Sequence, residues 1–153
     1  MNNICAIFDD VSISQSSFGF IQSFNRLSSS KNSVYCFYNN ISAPPTQALF
    51  SMLNIYYINC LTSGHAIATN LNTAKTLLNV NTAVKKYLYL WDLEWLRSPL
   101  NFLDVVSILT NPQIEIITRS NSHAILVENY TNQKVRHILE DWNPEKLLEI
   151  ING

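Results

Sequence analysis

Glycine is scarce in this chain, with three residues in 153. Neither G-x-G-x-x-G nor G-x-x-x-x-G-K-[ST] occurs, so a dinucleotide site or a P-loop nucleotide site is not expected. Charge is scarce too. Asp, Glu, Lys and Arg make up 14% of the residues, against roughly 25% in an average soluble domain. The net charge is −1 and there is no basic run, which removes the electrostatic footprint by which nucleic acid or an anionic membrane is met. No apolar run approaches the roughly eighteen residues of a membrane span, and Met1 to Asp10 has neither the basic start nor the length of a signal peptide. A cytoplasmic protein is expected. Cys5, Cys36 and Cys60 are odd in number and widely spaced, which predicts buried reduced thiols and no disulfide framework or zinc site. His65, His123 and His137 lack the spacing to Cys, Asp or Glu that a metal site needs, and G-x-S-x-G is absent. No metal and no cofactor are expected, and a self-contained hydrolase is the weaker enzyme reading.

What the chain does have is apolar content, 47% of its residues, and a length that buries roughly 70% of the unfolded surface. One domain over residues 1–153 is expected. Asn and Ser are abundant, so much of the surface is neutral and polar, and weak colloidal repulsion favours an oligomer or a face covered by another chain. Ile4 to Phe8 reads as a first buried strand closed by Asp9 and Asp10, and Phe20, Ile21, Phe24 and Leu27 recur at helical spacing. Val34 to Tyr38 is a second strand. After Pro44 and Pro45, Thr46 caps an expected short helix carrying Leu49, Met52 and Leu53, and Ile55 to Ile58 is read as a third strand. His65 to Thr69 is a fourth, followed by a helix capped by Asn70, with Leu71, Ala74 and Leu77 or Leu78 inward. Tyr87 to Leu90 is the fifth, with the length of a strand buried on both faces. Ser98-Pro99 starts a helix with Leu103, Val106 and Leu109 inward. Ile114 to Ile117 is a sixth strand. Ser122 to Tyr130 is assigned to a helix on alternation, although Ala124 to Val127 alone has strand character. Val135 to Leu139 is a short last strand, and Asn143-Pro144 opens a closing helix with Leu147, Leu148 and Ile151 inward. Alternation of this kind builds a three-layer Rossmann-like α/β sandwich around a mostly parallel sheet of six to seven strands.

In such sheets ligands meet the carboxyl ends of the strands, and polar residues gather at those positions. Asp9, Asp10, Ser14, Ser16, Ser17 and Gly19 follow the first strand, Thr69 and Asn70 the fourth, Trp91, Asp92, Glu94 and Trp95 the fifth, and Arg119 and Ser120 the sixth. Each has a second reading. The serines and Asn70 are good helix caps, the tryptophans could fill the core rim, and Arg119 could tie strand ends together through Glu94 or Asp92. Glu140-Asp141-Trp142 closes the last strand and either joins this edge or faces a partner.

The segments Gly64-His-Ala-Ile-Ala-Thr-Asn70, Tyr87-Leu-Tyr-Leu-Trp-Asp-Leu-Glu-Trp95, Ile116-Ile-Thr-Arg-Ser120 and Glu140-Asp-Trp-Asn143 together resemble the N-terminal Rossmann-like half of a GT-B-type glycosyltransferase, particularly the small phage-encoded type. The resemblance is spread over most of the chain. It implies a transferase fold in which two halves face each other across a cleft, the C-terminal half holding most of the nucleotide-sugar and the N-terminal half contributing acceptor contacts. By the same resemblance Ser16, Ser17 and Gly19 match the loop after the first strand, Trp91, Asp92 and Glu94 the cleft wall, and Arg119 and Ser120 a further edge contact. The chain departs from the family in ending at Gly153 and in the poverty of glycine in its first loop. The expected partners are therefore a nucleotide-sugar or glycan acceptor, with either a second copy of this chain or a separate C-terminal-half partner. The alternative is a structural or regulatory interaction protein of the same fold.

Overall fold

The computed structural model describes residues 3–30, 32–81, 83–96 and 102–153. In chain order these form β1 (Asn3–Val11), α1 (Gln15–Ser29), β2 (Ser33–Ile41), β3 (Ser51–Asn54), a 3-10 helix (Ile55–Cys60), β4 (Gly64–Ala68), α2 (Leu71–Leu78), β5 (Val84–Leu90), a 3-10 turn (Glu94–Leu96), α3 (Phe102–Leu109), β6 (Ile114–Thr118), α4 (Asn121–Thr131), β7 (His137–Ile138) and α5 (Pro144–Asn152). The strands make one seven-stranded sheet in the order β3-β2-β1-β4-β5-β6-β7, and every pairing is parallel.

Side-chain parity along the strands divides the core in two. Ile4, Ala6 and Phe8 of β1, with Tyr87 and Tyr89 of β5, face α1 and α5, whose Phe20, Phe24, Leu147 and Ile151 complete that layer. Cys5 and Ile7, with Leu88 and Leu90, face the other way, toward Leu71 and Leu77 of α2, Val105 and Ile108 of α3 and Val127 of α4. Three layers result because right-handed crossovers leave opposite faces covered when the chain steps in opposite directions from β1. Among the described residues no helix is long and apolar enough to cross a membrane.

Several local expectations are corrected. The short helix expected after Thr46 is absent: Ser51–Asn54 is strand β3, paired with Tyr35 to Tyr38 of β2. Leu49, Met52 and Leu53 have helical spacing, but the open edge of β2 offers backbone partners, and only Met52 of the three packs against the core, Leu49 and Leu53 being exposed. Ile55 to Ile58 is 3-10 helix, not strand. Two isoleucines three apart eclipse on a 3-10 turn, and Ile55 and Ile58 are both buried while Tyr56 and Tyr57 face out. In α3 the inward residues are Val105, Ile108 and Leu109; Leu103 is exposed. The expected start of that helix, Ser98-Pro99, lies outside the described residues. β7 is only His137–Ile138, shorter than the expected Val135 to Leu139. Ser122 to Tyr130 is indeed helical, within α4. Cys5 and Cys36 are buried, and burial pushes both thiols up. Cys60 is exposed on the 3-10 helix, contrary to the expectation of a buried thiol.

Among the described residues one charged side chain is buried in the sheet. Lys86, 3% exposed on β5, donates from Nζ to the carbonyls of Val80 at 2.9 Å and Leu78 at 3.3 Å. Leu78 is the last residue of α2, so the ammonium satisfies carbonyls that a helix end leaves orphaned, while burial pushes its pKa down. Lys86→Met keeps the aliphatic volume and strips both carbonyls of their donor, and is expected to cost about 1–3 kcal/mol in urea unfolding. An unchanged midpoint and slope would show that these bonds contribute nothing net.

Candidate functional site

The sheet order reverses between β1 and β4, the switch point at which open parallel sheets meet their ligands. Asp9 stands at this point. Its Oδ1 accepts from the side-chain amides of Asn39 at 2.8 Å and Asn72 at 3.0 Å, and its Oδ2 from those of Asn70 at 2.8 Å and Asn72 at 3.1 Å. A carboxylate has about four lone-pair sites, so the amides saturate it. Asp9 thus works as an organiser of three amides drawn from the ends of β2 and β4 and from α2. Asn39 and Asn72 are exposed and keep their own carbonyl oxygens for other partners. Asn70 is committed: it caps α2 by accepting from the Thr73 amide at 2.8 Å, and the Thr73 hydroxyl accepts from the Asn70 amide in return.

Glu94 reaches the same helix start. Its Oε1 accepts from the Leu71 backbone amide at 2.5 Å, using the positive end of α2. Burial raises the pKa of this carboxyl and the Asp9 charge raises it further, while the Leu71 bond opposes both. Asp10 binds the Ser42 amide at 3.1 Å and hydroxyl at 2.6 Å, pinning the loop after β2. Thr69 donates its hydroxyl to the Ile7 carbonyl at 2.7 Å, which holds the end of β4 against β1.

A second cluster lies on the α1/α5 side of the same edge. The Arg119 guanidinium sits 4.4 Å above the Trp91 ring, and its Nε is 3.8 Å from Asp141 Oδ1. Trp91 packs edge-on against Tyr89 at 6.0 Å, and the Tyr89 hydroxyl donates to the Leu139 carbonyl. Arg119 is thus tied to Asp141, while Glu94 meets the start of α2. Ser120 caps α4 by accepting from the His123 amide at 3.3 Å. Ser17 turns inward, 2% exposed, its hydroxyl bonded to Ser14, and Ser16 accepts from the Trp142 indole at 3.4 Å. Gly19 lies against the turn after β7, where a Cβ would come within 3.2 Å of the Asp141 carbonyl. Asp92 is exposed beyond β5.

The sequence-derived residues therefore form two groups: Asp9, Thr69, Asn70 and Glu94 around the start of α2, and Trp91 with Arg119 near β7. Sequence reading missed Asn39 and Asn72, which complete the Asp9 clamp. Asn39 is placed only by the β1–β2 register, which sets Phe8 beside Tyr38 and Asp10 beside Asn40, so Asn39 falls level with Asp9. Among the described residues no cluster of three or more His, Cys, Asp or Glu could hold a metal ion.

The raised Glu94 pKa has a direct consequence for stability. A carboxyl that holds its proton more tightly folded than unfolded contributes stability that is present at low pH and lost as pH rises from the ordinary value of 4.5 through the folded one. Glu94→Gln can still accept from Leu71 and carries no charge. It is expected to match or exceed the parent's thermal stability near neutral pH and to lose the part of the parent's pH dependence that lies just above 4.5. Parallel melting profiles of parent and variant across that range would disprove the assignment.

No protein-family model, curated protein or solved structure matches this chain.

Proposed function

We propose that this chain is a glycosyltransferase-like domain whose carboxyl-edge crevice holds a hydroxyl-rich ligand, a sugar or a glycan acceptor, either as one half of a split enzyme or as a binding module with no activity of its own. The Asp9 clamp carries this reading. It presents preorganised neutral amides at the switch point, and amide oxygens and N–H groups suit sugar hydroxyls, which donate and accept. The acids Asp9 and Asp10 lie near the end of β1, Asp92 and Glu94 follow β5, and the Arg119 cation is already engaged with Trp91 and Asp141. A diphosphate in the crevice would meet like charge. The nucleotide part of a donor is therefore assigned to a second chain facing this edge, and the acceptor to this one.

A second reading, a non-catalytic interaction protein, draws support from a different surface. Leu96, Phe102, Leu103, Ile125 and Leu126 are each at least half exposed in and around α3 and α4, and the Phe102 ring packs on Tyr130 at 5.2 Å. Exposed apolar side chains of this kind suit a protein partner. Light scattering on the purified chain separates the two readings, because a strict monomer with no partner in a pull-down removes the second.

The first is tested by titrating neutral sugars, nucleotide-sugars and free nucleotides against tryptophan fluorescence, Trp91 and Trp95 being half-buried reporters. Sugars are expected to respond at millimolar concentration. Loss of one amide bond in Asn39→Ala or Asn72→Ala should weaken them by about 1 kcal/mol, roughly fivefold. Silence toward every sugar, or a response to free nucleotide alone, would end this reading.

A further inference from the structure

The two edges of the sheet differ in how they meet solvent. On one side the sheet ends in β7, which is only two residues long, and charge crowds around it. Lys134, Arg136 and Glu140 flank it in the chain, and the His137 ring meets Glu115 at 2.8 Å. Short length and charge are the means by which proteins keep an edge strand from pairing with another chain. On the other side the sheet ends in β3, which pairs with β2 alone. The outer amides and carbonyls of β3 therefore have no strand partner.

Charge is missing from this second edge. Between Lys31 and Lys75 the chain has no Asp, Glu, Lys or Arg, and residues 32–64 hold no histidine either. All of β2, β3 and the 3-10 helix after β3 fall within that stretch, and Ser51–Asn54 contains no proline to blunt the strand. Apolar side chains stand out beside it instead. Leu49, Leu53 and Tyr57 are exposed, and Tyr56 is 87% exposed. Alternation along β3 sends Met52 into the α1 layer and Leu53 to the opposite face of the sheet.

We infer that the β3 edge is the two-fold interface of a homodimer, in which β3 runs antiparallel to β3 of a second copy and the two sheets become one. An open edge is met by the backbone of an added strand, which any chain can offer, so side-chain charge selects the partner. An uncharged edge is its own electrostatic complement, and a net charge of −1 gives two copies little long-range repulsion to overcome. A charged peptide would find no opposite charge here to hold it. A two-fold axis perpendicular to the sheet keeps like faces together, so residues of equal parity oppose each other and Leu53 meets Leu53 of the second copy. A standard interface covers about 800 Å² on each partner, more than a four-residue strand supplies. Leu49, Tyr56 and Tyr57 furnish the remaining contact, tyrosine being a residue enriched where proteins meet. The contact runs along the side of the sheet and not across the carboxyl ends that carry Asp9, so it is independent of the sugar reading.

The test is light scattering on the full chain and its variants, with circular dichroism to follow folding. The parent is expected at twice the 17.5 kDa of one chain. Leu53→Lys and Leu53→Glu each set like charges against one another across the axis, and each should weaken the dimer roughly tenfold or more. Mixing the two variants pairs Lys with Glu and should restore the dimer, a rescue that a merely structural leucine would not produce. Leu103→Lys, on the exposed α3 surface, should leave the dimer intact. The inference is overturned if the parent is a monomer at about 100 μM, if both Leu53 variants dimerise as the parent does, or if their mixture stays monomeric. It is equally overturned if Leu103→Lys abolishes the dimer, which would place the contact on α3 and α4. None of these outcomes bears on sugar binding at the Asp9 clamp, which the fluorescence titration decides separately.

Discussion

The right-handed hand of parallel crossovers, acting on a strand order that reverses between β1 and β4, is the constraint on which this molecule depends. Stepping from β1 to β2 puts α1 on one face, and stepping from β4 to β5 and β6 puts α2 and α3 on the other. The two steps leave the sheet in opposite directions, so the ends of β1 and β4 form its topological switch point. A switch point at that edge is a by-product of chirality and connectivity. The chain needs only to furnish it, and it does so with Asp9, Thr69 and Asn70, each immediately inside or beyond a strand end.

The α1/α5 layer has a different anchor. Trp142 follows the last strand and lies in the left-handed region, which turns its indole into the aromatic cluster instead of out along the turn. Its ring lies 4.7 Å from Tyr89 and 5.4 Å from Phe20, so one side chain joins the central strand, α1 and the start of α5. Burial of an aromatic this large contributes roughly 1.5–3 kcal/mol or more, which offsets the strained backbone that places it. The same turn carries Asp141 to Arg119. The Trp91–Arg119–Asp141 chain therefore links the carboxyl edge to the turn before α5 through contacts that packing had already brought close.

Much of this was legible in the sequence because the sheet is buried on both faces. Runs such as Ile4 to Phe8 and Tyr87 to Leu90 have few other uses, and Asn70 and Ser120 announce helix starts by side-chain chemistry alone. The failures occur where the local signal is short. Leu49, Met52 and Leu53 satisfy helical spacing, but a four-residue segment carries too little propensity to resist pairing with an open strand edge. The Asp9 clamp was half legible for a related reason. Its acid is visible as the end of a run, whereas Asn39 and Asn72 acquire meaning only once a register and a helix phase place them beside it. Arg119 shows the limit most clearly, since its partner Asp141 lies 22 positions along the chain and no periodicity connects them.

The way Asp9 is neutralised constrains what the edge can recognise. A lysine or arginine partner would cancel the charge, whereas three amides stabilise the carboxylate and leave its charge in place. The low charge content of the chain fits this choice, because abundant asparagine supplies the donors that other proteins take from basic residues. The result is an edge rich in oriented dipoles and mildly negative, where anions are disfavoured and hydrogen-bond donors are welcome. Saturation of Asp9 also means that a ligand meets the free carbonyls of Asn39 and Asn72 before it meets the carboxylate. Selectivity at such an edge follows from the spacing of fixed amide oxygens, and a ligand with several hydroxyls at fixed spacing is the chemical class able to match it.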